Sequence, residues 1–374
     1  MKVKFIAFAL TAFFVFSVSS CSNKQKSESE PTDEEVIAEP DEDMEVLNPE
    51  ADVPEEGFTI EAVDMGVSVL WANANIGANS VYDVGEYFAW GESSPKSSYT
   101  LDNYFDYQIE VKEGGYVHRS FKKFTETGQS LIGTDYDTAN SVLGNGWRMP
   151  SSDEYNELRD NCRTEIDYLK DGNGNRLRDE NGNLLPKYVS IKAPYGNTIL
   201  FPFGGYKEAD SSTGSDGFYY WSANLNHRGT DDAKAMAACL QDYTRGIMMV
   251  APHNRGYGMN IRAVKDRDAS TAIIKDGGYE MAGRVGNIIV SDFELIINGP
   301  NVTGKYLYST ANFNNYIELE GTKDEHNNIT LKETFRGEDM GKMEGVFDGW
   351  AFRGIDYHTD GDGYMFKVVV KRNK

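Results

Sequence analysis

Along residues 278–374, apolar and polar side chains alternate in short, evenly spaced runs. Phe293, Leu295 and Ile297 form one such series, and Tyr306 and Tyr308 belong to another. The runs fall at 279–285, 288–297, 302–309, 316–322, 329–335, 341–347, 350–357 and 365–370, and Asn298-Gly299, Gly337 and Asp348-Gly349 interrupt them. A period of two is the signature of a strand, whose successive side chains point to opposite faces. Asn-Gly and Asp-Gly tolerate the positive φ of tight hairpin turns. Eight such runs without a helical period predict an all-β antiparallel meander closed into a small barrel or sandwich. At this length side chains should fill most of its interior, so the expectation is an accessory or spacer module.

The pattern is different over 58–268. Strands are expected at 63–72 with a turn at Gly66, and at 85–92, 219–224, 236–240, 246–250 and 260–264, with a glycine-rich aromatic run at 200–206. Residues 137–143 suit a short helix. The hub of this region is Gly146-Trp147-Arg148-Met149-Pro150-Ser151-Ser152-Asp153-Glu154. Pro150 fixes its own φ and pushes Met149 into an extended conformation. Ser151 and Glu154 are spaced for a capping box, which starts a helix over 152–162 with Tyr155, Leu158 and Cys162 on its apolar face. Trp71, Trp90, Trp147 and Trp221 lie inside apolar strands and are expected in the core. Arg148 is expected to pair with a nearby carboxylate.

As an ordered set, the stretches 63–72, 76–78, 85–92, 146–154, 201–206, 220–224 and 261–264 resemble the Fibrobacter succinogenes major paralogous domain, a family of secreted and lipoprotein modules similar to C-type lectin-like folds. The resemblance implies an α+β C-type lectin-like domain over 58–268, joined by a linker at 269–277 to the meander. It also implies that any ligand would meet the face after the Tyr219-Tyr220-Trp221 strand. That face offers Asn224, Asn226, His227, Arg228, Tyr243, Arg245, His253, Asn254, Arg255 and Tyr257. Such residues combine contact area with adaptable hydrogen bonds. The chain departs from calcium-dependent lectins in lacking their Glu-Pro-Asn and Gln-Pro-Asp tripeptides. It also lacks the cysteine pair of the formylglycine-generating enzymes that are similar to this fold.

Composition adds an address. The chain has 374 residues, 22 tyrosines, 37 glycines and a formal charge of −22, and so acidic a chain is not expected to bind nucleic acid. Lys2 and Lys4 precede an apolar run at 5–18 that is too short to span a bilayer. It ends in Val18-Ser19-Ser20-Cys21, which resembles the lipobox of a bacterial lipoprotein. The resemblance implies a signal peptide over 1–20 and lipid on Cys21, which would be the chain's contact with the membrane. The alternative is an ordinary cleavable signal. Residues 22–56 hold 14 acidic and two basic residues, four prolines and no aromatic. Such a run cannot bury enough surface to fold, so 21–57 reads as a disordered tether.

Two further signals are weaker. Asp171-Gly172-Asn173-Gly174-Asn175 begins like a calcium loop but has Arg176 and Gly182 where that loop needs glycine and glutamate. It reads instead, with its near-repeat at 179–185, as an exposed β-ribbon with hairpin turns. Cys162 and Cys239 either pair in an oxidising compartment or remain separate buried thiols, the second being the expectation. No metal, cofactor or catalytic cluster is expected. The sequence points to a non-enzymatic binding or adhesion lipoprotein of the outer membrane, on a face left open, contacting a glycan or a protein. The alternatives are an envelope-structural lipoprotein without a soluble ligand, or an enzyme on the formylglycine-generating-enzyme-like fold.

Overall fold

The computed structural model describes residues 57–371 apart from 114–115, 126–128, 195, 214–216, 227–233, 243–246, 287 and 309–315. Cys21 and nearly all of the expected tether lie outside the described residues.

The expected α+β lectin-like body is not what forms. Among the described residues, half is strand and 7% is helical, in two helices. The helices are short, Thr138–Leu143 and Ser152–Asn161, and the second buries only Ser152, Glu154, Tyr155 and Leu158. Packing therefore falls to strand-borne aromatics. Trp71, Trp90 and Trp221 are fully buried and Trp147 nearly so, as expected. The β-rich outcome follows from the Tyr, Gly and Asn content, which favours pleated strands and turns over helices.

Several small antiparallel sheets build residues 57–268. In one, Val264–Asp266 lies between Val69–Ala72 and Trp147–Arg148, with Val264 opposite both Trp71 and Arg148. The beginning, middle and end of this region thereby meet in one sheet. A second sheet orders Tyr219–Leu225, Lys234–Asp242 and Ile247–Asn254. A third orders Arg163–Tyr168, Pro186–Lys192 and Thr198–Pro202.

The Pro150 corner forms as the local rules require. Ser151 has extended backbone, its hydroxyl accepts from Glu154 N, and Glu154 Oε2 accepts from Ser151 N at 2.8 Å. The helix is one residue shorter than expected, since Cys162 adopts β geometry and caps it. Arg148 donates to both Glu154 oxygens at 2.9 and 2.6 Å and to Asp266 at 2.7 Å. Cys162 and Cys239 are unpaired, and burial pushes both thiols up to about 11.

The calcium-like repeat is a self-contained ribbon. Asp171 accepts from the backbone N–H groups of Asn173 and Asn175 and from the Asn175 amide, and Asp179 repeats the pattern with Asn181 and Asn183. The carboxylates that a metal would need are spent on their own turns. Leu169, Leu177 and Leu185, eight residues apart, close a ring of backbone hydrogen bonds at 2.9, 2.9 and 3.1 Å.

Residues 277–370 form a closed antiparallel barrel of eight strands in sequential order: Gly277–Val285, Ile288–Asn298, Asn301–Tyr308, Ile317–Lys323, Asn328–Phe335, Glu338–Phe347, Ala351–His358 and Gly363–Val370. Its core includes Met281, Phe293, Leu295, Tyr306, Leu331, Met343, Phe352 and Val368. Glycine sits where neighbouring strands press closest. A Cβ on Gly321 would lie 1.8 Å from Thr330 O, and one on Gly283 would lie 2.0 Å from Lys367 O. Without side chains there, the strands coil tightly enough to close around a filled interior.

The barrel and the preceding region touch through polar contacts. Arg284 pairs with Asp153 at 2.6 Å, and Lys367 pairs with Glu154. Arg353 donates to Arg267 O at 3.0 Å, while Asn327 holds the carbonyls of Ala269 and Ala272 at 2.8 and 2.9 Å. The Arg267 guanidinium lies 4.3 Å over the Trp350 ring.

Candidate functional site

Four rings form a continuous strip on the face of the 57–268 region. Gly204 passes so close to Asn260 and Val84 that a Cβ would fall 2.6 Å from each. This passage leads into the short strand that begins at Tyr206. After the strand Ile247–Asn254 the chain turns back, with Asn254 accepting from Gly256 N through its side chain and from Tyr257 N through its carbonyl. Lys207 and Gly258 then exchange backbone hydrogen bonds at 2.8 and 2.9 Å. This clamp sets Tyr206 and Tyr257 side by side, with centroids 5.0 Å apart and planes 23° apart. Tyr219 meets Tyr206 edge-on at 5.1 Å, and His253 meets Tyr219 edge-on at 5.2 Å.

All four side chains are half-buried. A rigid aromatic surface of this kind offers large contact area at little entropic cost. Its polar groups are Glu208, which accepts from the Tyr257 hydroxyl at 3.1 Å, and Asn254. Burial, and then Glu208, push the Tyr257 hydroxyl up to about 12. Burial, and then Lys234, push His253 down to about 4. His253 is therefore neutral at physiological pH, and its Nε2 is buried without a hydrogen-bond partner.

Of the expected contact residues, His253, Asn254 and Tyr257 come together here. Asn224 instead caps the second helix, its Oδ1 accepting from Ser152 N at 2.8 Å. Asn226 is buried. Arg255 is also corrected. It is fully buried, donates to Phe124 O at 2.9 Å, pairs with the equally buried Asp106 at 3.3 Å and stacks 3.4 Å over Phe121. Its charge is neutralised inside the core, so it is a packing residue and offers no outward contact. His227, Arg228, Tyr243 and Arg245 lie outside the described residues.

Tyr206, Tyr219 and Glu208 were not anticipated. Strand parity carries the missing signal for Tyr219. Tyr220 is fully buried and donates to Pro202 O, so its neighbour must point the other way.

An open cleft of about 440 Å³ lies elsewhere, lined by Glu92, Lys96, Phe105, Asp135 and Tyr136 among others. Its groups are engaged with one another. Glu92 accepts from Lys96 and Phe105 N, Phe105 stacks on Tyr136, and Lys123 lies over the Tyr136 ring. The tyrosine strip is the better candidate for an outward contact.

No family model matches the sequence, and a search of curated proteins likewise finds no match.

Proposed function

We propose that this chain is a lipid-anchored, non-enzymatic binding protein of the bacterial outer membrane that holds a glycan against the strip of Tyr206, Tyr257, Tyr219 and His253. The observation that carries the reading is the Tyr206–Tyr257 stack, continued by two edge-on rings and flanked by Glu208 and Asn254. The C–H faces of pyranose rings pack on such aromatic surfaces, while neighbouring carboxylates and amides take their hydroxyls. Lipid on Cys21 and the acidic tether at 21–57 would hold this surface away from the membrane.

A glycan array probed with the chain from Ser22 onward tests the proposal. A bound glycan whose affinity falls at least about tenfold (~1.4 kcal/mol) in Tyr206→Ala and Tyr257→Ala, with unchanged melting, supports it. A blank array together with a crosslinked protein partner assigns the strip to a protein ligand. A blank array without a partner leaves an envelope-structural lipoprotein.

A further inference from the structure

The barrel interior holds two carboxyl groups that its packing does not require. Among the described residues of the barrel strands, Glu333 and Asp356 are the only buried charged side chains, and no buried lysine or arginine lies on those strands. The two carboxyls are neighbours, close enough for Asp356 to raise the Glu333 carboxyl. Glu333 also accepts from the Tyr306 hydroxyl at 2.8 Å, and the Tyr308 hydroxyl lies 3.3 Å from that of Tyr306. Both oxygens of the fully buried Asp356 lack a hydrogen-bond donor. The imidazole of His358 lies beside the pair, its Nε2 3.4 Å from Asp356 Oδ2 and its side chain 41% exposed. Tyr364 packs on that imidazole at 5.1 Å.

Two ionised carboxylates cannot hydrogen-bond to each other, and a buried oxygen without a donor is costly. One proton on Glu333 lets the two carboxyls bond and gives one Asp356 oxygen a donor, while Oδ2 faces His358 Nε2. We propose that Glu333 and Asp356 form a single-proton site inside the barrel, connected to solvent through His358, and that loss of this proton loosens the end of the barrel where Tyr308, Glu333 and Asp356 meet. Burial, and then the neighbouring Asp356, push Glu333 up to about 8, which fits a proton retained at neutral pH. Tyr306 and Tyr308 are themselves pushed up by burial and by these carboxyls, so they stay protonated.

The folded value of Glu333 lies above the unfolded value of about 4.3. Its stabilising contribution is therefore complete below pH of about 4.3 and is lost as pH rises toward about 8. The folding equilibrium shifts by up to about tenfold per pH unit across that window. The barrel is thus tightest in mild acid.

Infrared spectroscopy and thermal unfolding of the full chain, from pH 6 to 9, test the site. The wild type should show a carboxylic-acid C=O band at pH 7 that fades as the pH passes about 8, with stability falling up to about that pH and levelling off above it. Glu333→Gln keeps a donor toward Asp356, so it should lose the band and flatten the slope. A band that survives this substitution belongs to another carboxyl, such as Glu157, whose protonated form is also favoured by burial. Should Glu333→Gln not fold, Asp356→Asn removes the neighbouring charge but leaves the burial, so its band should fade, and its slope end, at a lower pH than in the wild type. A wild type without a band at pH 7, or a variant matching it in both band and slope, overturns the proposal.

Discussion

Lys367, on the last barrel strand, donates to Glu154 on the helix of the Pro150 corner, 213 residues away in sequence. The same carboxylate accepts from Ser151 N and from both ends of the Arg148 fork. One buried side chain thus closes a helix cap, neutralises an arginine and ties the barrel to the rest of the fold.

Glu154→Gln should destabilise the chain by about 3 kcal/mol, because it leaves the mostly buried Arg148 without its main counter-charge. Lys367→Met removes a more exposed partner and should cost about 1 kcal/mol. Urea denaturation of both variants and the double variant checks this. A coupling energy near zero would mean that the contact between Lys367 and Glu154 contributes no stability.

The same residue sets an acid limit. Burial alone would raise the Glu154 carboxyl, but Arg148 and Lys367 outweigh it and hold the group well below the usual carboxylate range. A folded value below the unfolded one means that the stabilisation is present above pH of about 4.3 and is lost as the pH falls below it. Glu154→Gln should therefore show a shallower acid limb than the wild type in a pH series of melting temperatures. Equal limbs would place the acid sensitivity elsewhere.

Local signals were legible in the sequence and long-range ones were not. The Ser151–Glu154 box depends on residues three apart, and the barrel strands on alternation between neighbours, so both follow from short windows. The sheet that joins Trp71, Arg148 and Val264 uses strands of four, two and three residues, too short for a periodicity of their own. The α+β expectation failed at that point, since it rested on an ordered series of motifs and not on how they pair. Arg255 was misplaced for a related reason. Its burial depends on Asp106, 149 residues away, and no local pattern announces that partner. Tyr206 and Tyr219 were hidden because each sits beside core aromatics in a run that reads as wholly buried.

Barrel closure makes a sharp comparison between two glycines. Gly321 has no room for a Cβ, since Thr330 O would lie 1.8 Å away. Gly299 has φ +57 and nothing within 4 Å, so alanine there meets only backbone strain. Gly321→Ala should cost about 3 kcal/mol by forcing two strands apart, and Gly299→Ala about 1 kcal/mol. Chemical denaturation of the two variants tests the order. A milder effect at Gly321 would mean that the strands separate easily and that tight coiling does not hold the barrel closed.

His253 gives the strip a pH dependence of its own. Its folded value of about 4 lies below the unfolded value near 6.5. The neutral ring is therefore favoured by folding, and its contribution is present above pH of about 6.5 and lost as the pH falls toward 4. The ring keeps some solvent contact, so screening reduces the effect below the full tenfold per unit. Protonation would also place a charge beside Lys234 and against Tyr219, the ring that carries the strip toward Tyr206. His253→Phe should keep the edge-on packing and remove the titration. Its melting temperature should then vary less than that of the wild type between pH 6.5 and 4, and its affinity for the array-identified glycan should no longer fall in acid. An acid-side loss of affinity that persists in His253→Phe would mean that His253 is not its source.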